Sequence, residues 1–241
     1  MCTVTIFPKG DDNFVLTSSR DEVPNRIALN PDFYTINNTR MLLPKDELSG
    51  GSWIGVSDKN RLICLLNGGF VIHKRKDNYR QSRGVVVRDL LVADAIELSV
   101  ELYDFNDIEP FTIVIADWNK SLKFYELVWD GENKHFVELR LEPKIWSSST
   151  LYSEDKKQKR LQWFNDFKAE NKFTLESALK FHKNAGEGNK DYGVIMDRGH
   201  VKTTSITQVE KNDDGVDMRF ENLNTFETTT KLFNFLEVVN E

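Results

Sequence analysis

The second residue of the chain is a cysteine, and its position makes it a candidate nucleophile. Cys2 follows the initiator methionine, so removal of Met1 would expose an α-amino group on the residue that carries the thiol. Such an amine has an ordinary pKa of about 7.7–8.0 and is partly neutral at pH 7, so it could act as the base for the thiol without a histidine. The competing interpretation is that Cys2 is a small apolar residue that begins a core strand.

A charged run is expected to lie beside this cysteine. The segments TVTIF and NFVLTSSR are β-branched and aromatic, and the turn-rich PKGDD between them predicts a hairpin that brings residue 2 opposite residues 19 and 20. Arg20 would then lower the pKa of the thiol, and Asp21 could hold the α-ammonium group or the substrate. Successive strand residues face opposite sides, so both reach Cys2 only if the strand bulges or ends there. Otherwise the run is a solvated strand end with a surface ion pair.

Two glycine-containing segments are expected to flank one cavity. Gly50, Gly51 and Trp53 precede one predicted strand, and Asn67 and Gly68 follow the next. The Asn67 amide could donate to the oxyanion of a tetrahedral intermediate, together with a backbone N–H group. We expect Trp53 and Gly68 to contact the substrate there. The alternative for Asn67 is a turn residue that tolerates left-handed backbone before glycine.

Histidines and the second cysteine give no sign of a metal. The four histidines show no HxxxH spacing and Cys64 has no CxxC partner, so we predict no metal site. Cys64 lies in the apolar run RLICLL, where burial should raise its pKa. His73 begins a basic patch and could contact an anionic substrate group, although a solvated loop is the alternative. The chain lacks Walker-A, GxGxxG and GxSxG motifs, so phosphate-loop, dinucleotide and α/β-hydrolase mechanisms have no support in the sequence, and we predict no cofactor.

The elements that would position these residues alternate between sheet and helix. The predicted order is a polar stretch at residues 21–38, two strands within 52–69, one or two helices within 82–102, a three-strand meander within 111–140, helices at 153–171 and 174–186, and further strands within 191–222. No repeat or linker divides the chain. Residues 1–241 therefore predict a single α+β domain.

The composition restricts the class of protein. The 241 residues are 39% hydrophobic with 16 Phe and 5 Trp, which is typical of a globular domain. A net charge of -6 gives no global basic field, so we expect no nucleic-acid partner. No run approaches the roughly 18 apolar residues of a membrane span, so we expect no membrane insertion. The N-terminus lacks the pattern of a signal peptide, and two cysteines make no disulfide framework, so we expect a cytoplasmic location.

Four segments taken together carry a family resemblance. They are MCTVTIF, TSSRDEVPNR, GGSWIGVSDKNRLICLLNGG and QSRGVVVRDLL, within about the first 90 residues. In order and spacing they resemble the transport and Golgi organisation 2 family, also called the NRDE family, which typically begins Met-Cys and carries an Asn-Arg-Asp-Glu signature. Ser19 replaces the first Asn of that signature, and Ser149 stands where a later Asn is usual.

The resemblance implies a fold and a chemistry. The implied fold is that of N-terminal nucleophile hydrolases, a four-layer αββα sandwich of two antiparallel sheets. The implied nucleophile is Cys2, assisted by Arg20 and Asp21, with Arg83 of the Ser-Arg-Gly motif as a further substrate contact. We therefore expect an amidohydrolase or acyltransferase acting on a small-molecule, non-peptide C–N (amide) bond. The alternatives are a non-enzymatic protein for haem or lipid handling on the same fold, and a globular protein that keeps the fold without activity.

Overall fold

The computed structural model describes residues 3–10 and 12–234, which form two antiparallel sheets with helices outside them. The strands are β1 (Thr3–Gly10), β2 (Asn13–Glu22), β3 (Ala28–Ile36), β4 (Thr39–Asp46), β5 (Ile54–Ser57), β6 (Arg61–Asn67), β7 (Phe111–Asp117), β8 (Lys123–Trp129), β9 (Lys134–Leu139), β10 (Lys144–Ser147), β11 (Lys202–Asn212), β12 (Gly215–Asn222) and β13 (Glu227–Phe233). The helices are α1 (Arg83–Val92), α2 (Ile96–Leu102), α3 (Glu154–Glu170) and α4 (Leu175–Asn184).

The layers follow the order helix, sheet, sheet, helix. Sheet A has the strand order β10-β1-β2-β11-β12-β13, and sheet B has the order β3-β4-β5-β6-β7-β8-β9. Helix α1 packs on β5 and β6, whereas α3 packs on β10 and α4 packs on β2 and β11. The predicted four-layer αββα sandwich is confirmed.

Strand alternation explains why sheet A is buried on both faces. Val4 and Ile6 of β1 belong to the main core between the sheets, whereas Phe7 packs into a second cluster with Ala178 of α4. A strand places successive side chains on opposite faces, so β1 contributes to both cores. The same holds for β2, where Leu16 faces sheet B and Val15 faces the helices.

The first hairpin forms as predicted. Strands β1 and β2 pair antiparallel, with Thr3 opposite Ser19 and Gly10 opposite Asn13. Gly10 has a φ of +85°, a conformation that glycine adopts without steric cost at a turn. Cys2 lies outside the described residues, so the described register begins at Thr3.

The prediction of a polar stretch without a strand at residues 21–38 is wrong, because this part of the chain contains β3 and leads directly into β4. The turn between them is formed by Asn37 and Asn38, with φ values of 50° and 61°, as in the tight hairpin turns that favour Asn. A register shift between Leu29 and Asp32 interrupts the alternation that would have marked the strand. The short edge strand β10 and the strand β13 were also not predicted.

The helices begin and end close to the predicted positions. Residues 82–102 form α1 and α2, and α3 and α4 occupy the two later helical segments. Thr174 caps α4, because the Ser177 backbone N–H donates to Thr174 Oγ1 at 3.1 Å and the Thr174 N–H donates to Ser177 Oγ at 2.9 Å. Among the helices in residues 3–10 and 12–234, none is both long and apolar enough to cross a membrane.

Candidate active site

A cavity of about 360 Å³ lies where β2, β4 and β6 end, next to the start of α1. Charged side chains of both signs line it. The cationic members are Arg20, Arg26, Arg75 and Arg83, and the anionic members are Glu22, Asp46, Asp77 and Glu109. Such a lining offers charge-assisted hydrogen bonds to a small polar molecule.

Arg20 is the buried cation of this cavity, with 2% of its surface exposed. Its Nη2 donates to Asp46 Oδ2 at 2.7 Å and its Nη1 donates to Thr204 Oγ1 at 3.1 Å. Its guanidinium carbon lies 4.6 Å from the centre of the Trp53 ring, in a cation–π contact. Burial lowers the pKa of Arg20, and the carboxylates of Glu22 and Asp46 oppose that shift. Arginine nevertheless stays charged, so a fixed positive charge faces the cavity.

Asp46 holds this arginine in place, and sequence reasoning did not identify it. Arg20 and the Arg26 Nε both donate to its Oδ2 at 2.7 Å, while the Ser49 backbone N–H donates to Oδ1 at 2.9 Å. Burial acts to raise the pKa of Asp46, but the hydrogen bonds from Arg26 and Ser49 outweigh it and the pKa lies below its ordinary value. A lone carboxylate at the end of the apolar strand MLLPKD was the signal available in the sequence.

Asp21 faces the other side of the sheet from Arg20, as the pleat of a regular strand requires. Tyr152 Oη donates to Asp21 Oδ2 and Thr203 Oγ1 donates to Asp21 Oδ1, both at 2.6 Å. A bulge in the neighbouring strand, between Thr203 and Ser205, does not change this orientation. The structure therefore brings Arg20 to the cavity and places Asp21 behind it, towards the helices.

Further polar side chains lie on the helix side of β1 and β2. His182 of α4 is fully buried between two hydroxyls, with Nδ1 2.8 Å from Ser19 Oγ and Nε2 2.9 Å from Thr5 Oγ1. Burial lowers the pKa of His182 to about 3, so it is neutral. Arg160 of α3, also buried, donates to Thr3 Oγ1 and, at 2.6 Å, to the Gly193 carbonyl. Ser19, one of the two departures from the family pattern, is thus turned away from the cavity.

Asn67 and Gly68 occupy different positions relative to the cavity. Asn67 lines it, and the Asn67 backbone carbonyl accepts from Ser148 Oγ at 2.7 Å. Gly68 lies behind it with a φ of +86°, and a Cβ atom there would be 2.2 Å from Ser149 Oγ. Ser149 Oγ is itself buried and has no hydrogen-bond partner within the described part of the chain. Gly68 therefore fits the 148–150 loop beneath Asn67.

Trp53 and Arg83 both line the cavity. Trp53 is 5% exposed, and its indole N–H has no hydrogen-bond partner among residues 3–10 and 12–234. Arg83 Nη2 lies 3.3 Å from Glu109 Oε2, and Nη1 donates to the Pro110 carbonyl at 3.3 Å. Burial lowers the pKa of Arg83, although the charge of Glu109 opposes this.

His73 lies in a second cavity of about 430 Å³, which Phe70, Tyr79 and Gly131 also line. Its Nε2 is 3.3 Å from Glu109 Oε1. Glu109 also lines the first cavity, so it connects His73 with the charged site. In the part of the chain that the structure describes, no three His, Cys, Asp or Glu side chains cluster as metal ligands would.

Of the two cysteines, the structure describes Cys64 and not Cys2. Cys2 lies outside the described residues, and its neighbour Thr3 pairs with Ser19. Cys64 is a free, fully buried thiol in β6, and burial raises its pKa to about 12. The predicted upward shift for Cys64 is confirmed.

Sequence comparison identifies the family of this chain. The family model described as Transport and Golgi organisation 2 matches residues 1–213. The Transport and Golgi organization protein 2 homolog of Bos taurus is 31% identical over 87 residues. That match spans 35% of this chain and 30% of the bovine protein.

Solved structures share the fold at low sequence identity. Penicillin V acylase from Agrobacterium tumefaciens has a TM-score of 0.59 and 10% identity, covering 96% of this chain and 86% of the acylase. The N-acylethanolamine-hydrolyzing acid amidase ortholog of Caenorhabditis elegans has a TM-score of 0.57 and 12% identity, covering 96% and 100%. A variant of conjugated bile acid hydrolase from Clostridium perfringens has a TM-score of 0.51 and 11% identity, covering 99% and 100%. The likeness shows an N-terminal nucleophile hydrolase-like fold.

Proposed function

Because this chain belongs to the transport and Golgi organisation 2 family and has the fold of N-terminal nucleophile hydrolases, we propose that it is an amidohydrolase or acyltransferase. Its substrate is a small molecule with a non-peptide C–N (amide) bond, and its nucleophile is Cys2. The observation that carries the proposal is Arg20, a buried cation that faces a charged cavity on the strand next to β1.

The proposed activation of Cys2 uses its own amine and this arginine. Thr3 lies opposite Ser19. We propose that Cys2, the residue bonded to Thr3, lies close to Arg20. A nearby guanidinium favours the thiolate over the thiol. Once Met1 is removed, the α-amine takes the thiol proton. Asp21, fixed by Tyr152 and Thr203, orients that amine from the helix side.

The thiolate then attacks the amide carbonyl carbon, and the π electrons of the C=O bond move to oxygen. Asn67 donates to this oxyanion from the cavity wall. When the intermediate collapses, the C–N bond breaks, the amine leaves with the proton from the α-ammonium group, and a thioester remains on Cys2. Water hydrolyses the thioester in a hydrolase, and an amine or alcohol accepts the acyl group in an acyltransferase.

The remaining candidate residues bind the substrate or shape the cavity. Trp53 and Arg83 contact the substrate, since both line the cavity. Gly68 acts indirectly by fitting the chain beneath Asn67, and His73 acts through Glu109, which it shares with Arg83. We also propose a cytoplasmic location, which the free thiol of Cys64 supports and cell fractionation would test.

The first test compares the two cysteines. Intact mass should show that Met1 is absent, and limiting iodoacetamide followed by peptide mapping should label Cys2 faster than Cys64, whose pKa is about 12. Arg20→Ala should slow the labelling of Cys2 at pH 7 without changing that of Cys64, and Arg20→Lys, which keeps a cation, should slow it less. Arg88→Ala, at an exposed arginine of α1, is the control and should leave both rates unchanged. Retained Met1, or equal labelling of the two cysteines in the folded protein, contradicts the mechanism.

The second test is turnover of a panel of small acyl amides, followed by mass spectrometry. Cys2→Ala should abolish turnover and the thioester adduct, and Cys64→Ala should retain both. Ligand binding that survives Cys2→Ala without any turnover, including a tight stoichiometric Soret shift on haem titration, would support the non-enzymatic alternative instead.

A further inference from the structure

One loop beside the candidate active site has an exposed apolar tip. Phe70, Val71 and Ile72, here called the apolar tip, are 50%, 74% and 72% exposed. Residues 68–80 form neither helix nor strand, so the tip is not the free face of a larger element. Three adjacent large apolar side chains in water mark a surface that contacts something else.

A basic run follows the tip directly. Residues 70–80 contain four Lys or Arg and one Asp, a local net charge of +3 in a chain of net charge -6. Arg75 Nε lies 3.8 Å from Glu109, Lys76 Nζ lies 2.9 Å from Asp107 and Arg80 lies 3.4 Å from Asp104, so these three carboxylates offset part of the basic charge. Lys74 has no carboxylate partner among the described residues and carries the uncompensated charge of the run. Charges beyond about 8–10 Å are largely screened at physiological salt, so the local charge matters more than the total.

Other loops at the same cavity are also apolar on the outside. Glu22 and Arg26 line the cavity, and Val23 and Ile27 beside them are 48% and 55% exposed. Leu48, in the loop that carries the cavity residue Ser49, is 84% exposed. Exposed apolar side chains therefore lie beside several of the segments that form the cavity wall.

We propose that this loop docks the protein on an anionic lipid bilayer, with the apolar tip at headgroup depth and the basic run against the headgroups. Apolar side chains next to lysines and arginines are the composition of segments that lie at a membrane surface. A stable protein interface needs about 800 Å² on each side, which three side chains do not supply. The contact needs no spanning helix, and it does not depend on the chemistry of Cys2.

The experiment is vesicle flotation with the full chain. Vesicles of phosphatidylcholine alone are compared with vesicles in which about a third of the lipid is phosphatidylserine. The wild type should bind the anionic vesicles more strongly, and added salt should weaken that binding. The variant Val71→Ser/Ile72→Ser should lower the partition coefficient at least about tenfold. Lys74→Gln should lower it about fivefold.

The control is Phe226→Asn, which removes an apolar side chain that is more exposed than the apolar tip and lies far along the chain from the loop. Phe226 is 87% exposed with a φ of 60°, a conformation that asparagine tolerates. This variant should bind anionic vesicles like the wild type. Equal binding of the wild type to both vesicle types would overturn the role of the basic run, and no binding to either type would overturn the proposal in favour of a protein partner. Unchanged binding of the Val71→Ser/Ile72→Ser variant, or an equal loss in the control, would also overturn it.

Discussion

At the scale of single residues, His182 shows how burial rather than residue type sets a charge. Its ring lies between the hydroxyls of Thr5 and Ser19, and burial lowers its pKa from the ordinary 6.5 to about 3. The unfolded chain binds a proton between these two pKa values and the folded chain does not, so stability falls as pH falls through that window. Above about pH 6.5 the contribution of His182 no longer changes with pH.

This predicts a pH dependence of unfolding that depends on one residue. Between pH 7 and pH 5 the wild type should lose about 2 kcal/mol more of its unfolding free energy than His182→Gln does, since glutamine binds no proton. At pH 7 the variant should itself be less stable by about 1–3 kcal/mol, because it cannot satisfy both hydroxyls equally. Urea unfolding at the two pH values measures both effects. Parallel losses in the two proteins would show that His182 takes up a proton to the same extent in the folded and unfolded states, so that burial does not lower its pKa.

Gly68 provides a second prediction at this scale. Its φ is +86° and a Cβ there would lie 2.2 Å from Ser149 Oγ, whereas Gly188 has a φ of +78° with nothing near the position of a Cβ. Gly188→Ala should therefore lower the free energy of unfolding by only about 1–2 kcal/mol, the cost of a left-handed backbone conformation for a residue with a Cβ atom. Gly68→Ala should cost clearly more, since the 148–150 loop must also move. Thermal unfolding of the two variants tests this, and equal losses would exclude the steric contribution.

At the scale of elements, α3 anchors the first strand through a buried arginine. Arg160 donates to Thr3 Oγ1 and to the carbonyls of Tyr192 and Gly193, and its guanidinium carbon lies 3.6 Å from the centre of the Tyr152 ring. Because Tyr152 in turn donates to Asp21, one helix and the loop before it hold the ends of both β1 and β2.

Arg160→Met should therefore lower the unfolding free energy by about 3 kcal/mol, because it leaves buried carbonyls without donors. Lys159→Met, at the exposed neighbouring position of the same helix, should change it by less than about 0.5 kcal/mol. Chemical denaturation of both variants provides the measurement. Similar losses in the two variants would mean that helix propensity, and not this anchor, is being measured.

At the scale of the whole molecule, the two sheets share one hydrophobic core. Val4 of sheet A and Ile63 and Val114 of sheet B belong to the same buried cluster. Neither sheet can be exposed without opening that cluster, so we predict that residues 1–241 unfold as one domain in a single calorimetric transition. Two separated transitions, each retained in a fragment, would contradict a single domain.

The sequence by itself determined the elements whose signals are local. The hairpin of β1 and β2, the pair β5 and β6, the meander of β7 to β9 and the four helices follow from alternation, turn residues and helical spacing. The four-layer fold came from the motif resemblance. The strand β3 was missed because a register shift breaks its alternation near Asp32.

Only the tertiary structure decided which side chains share the site. The sequence left open whether a bulge or strand end brings Arg20 and Asp21 to one face, and in the structure the pleat separates them onto opposite faces of sheet A. Arg20 of sheet A contacts Asp46 of sheet B, which is 26 positions away in the sequence. Asp21 contacts Tyr152 of the loop before α3, which is 131 positions away. Contacts of this kind depend on how sheets and helices pack, and no local pattern of residue types encodes that packing.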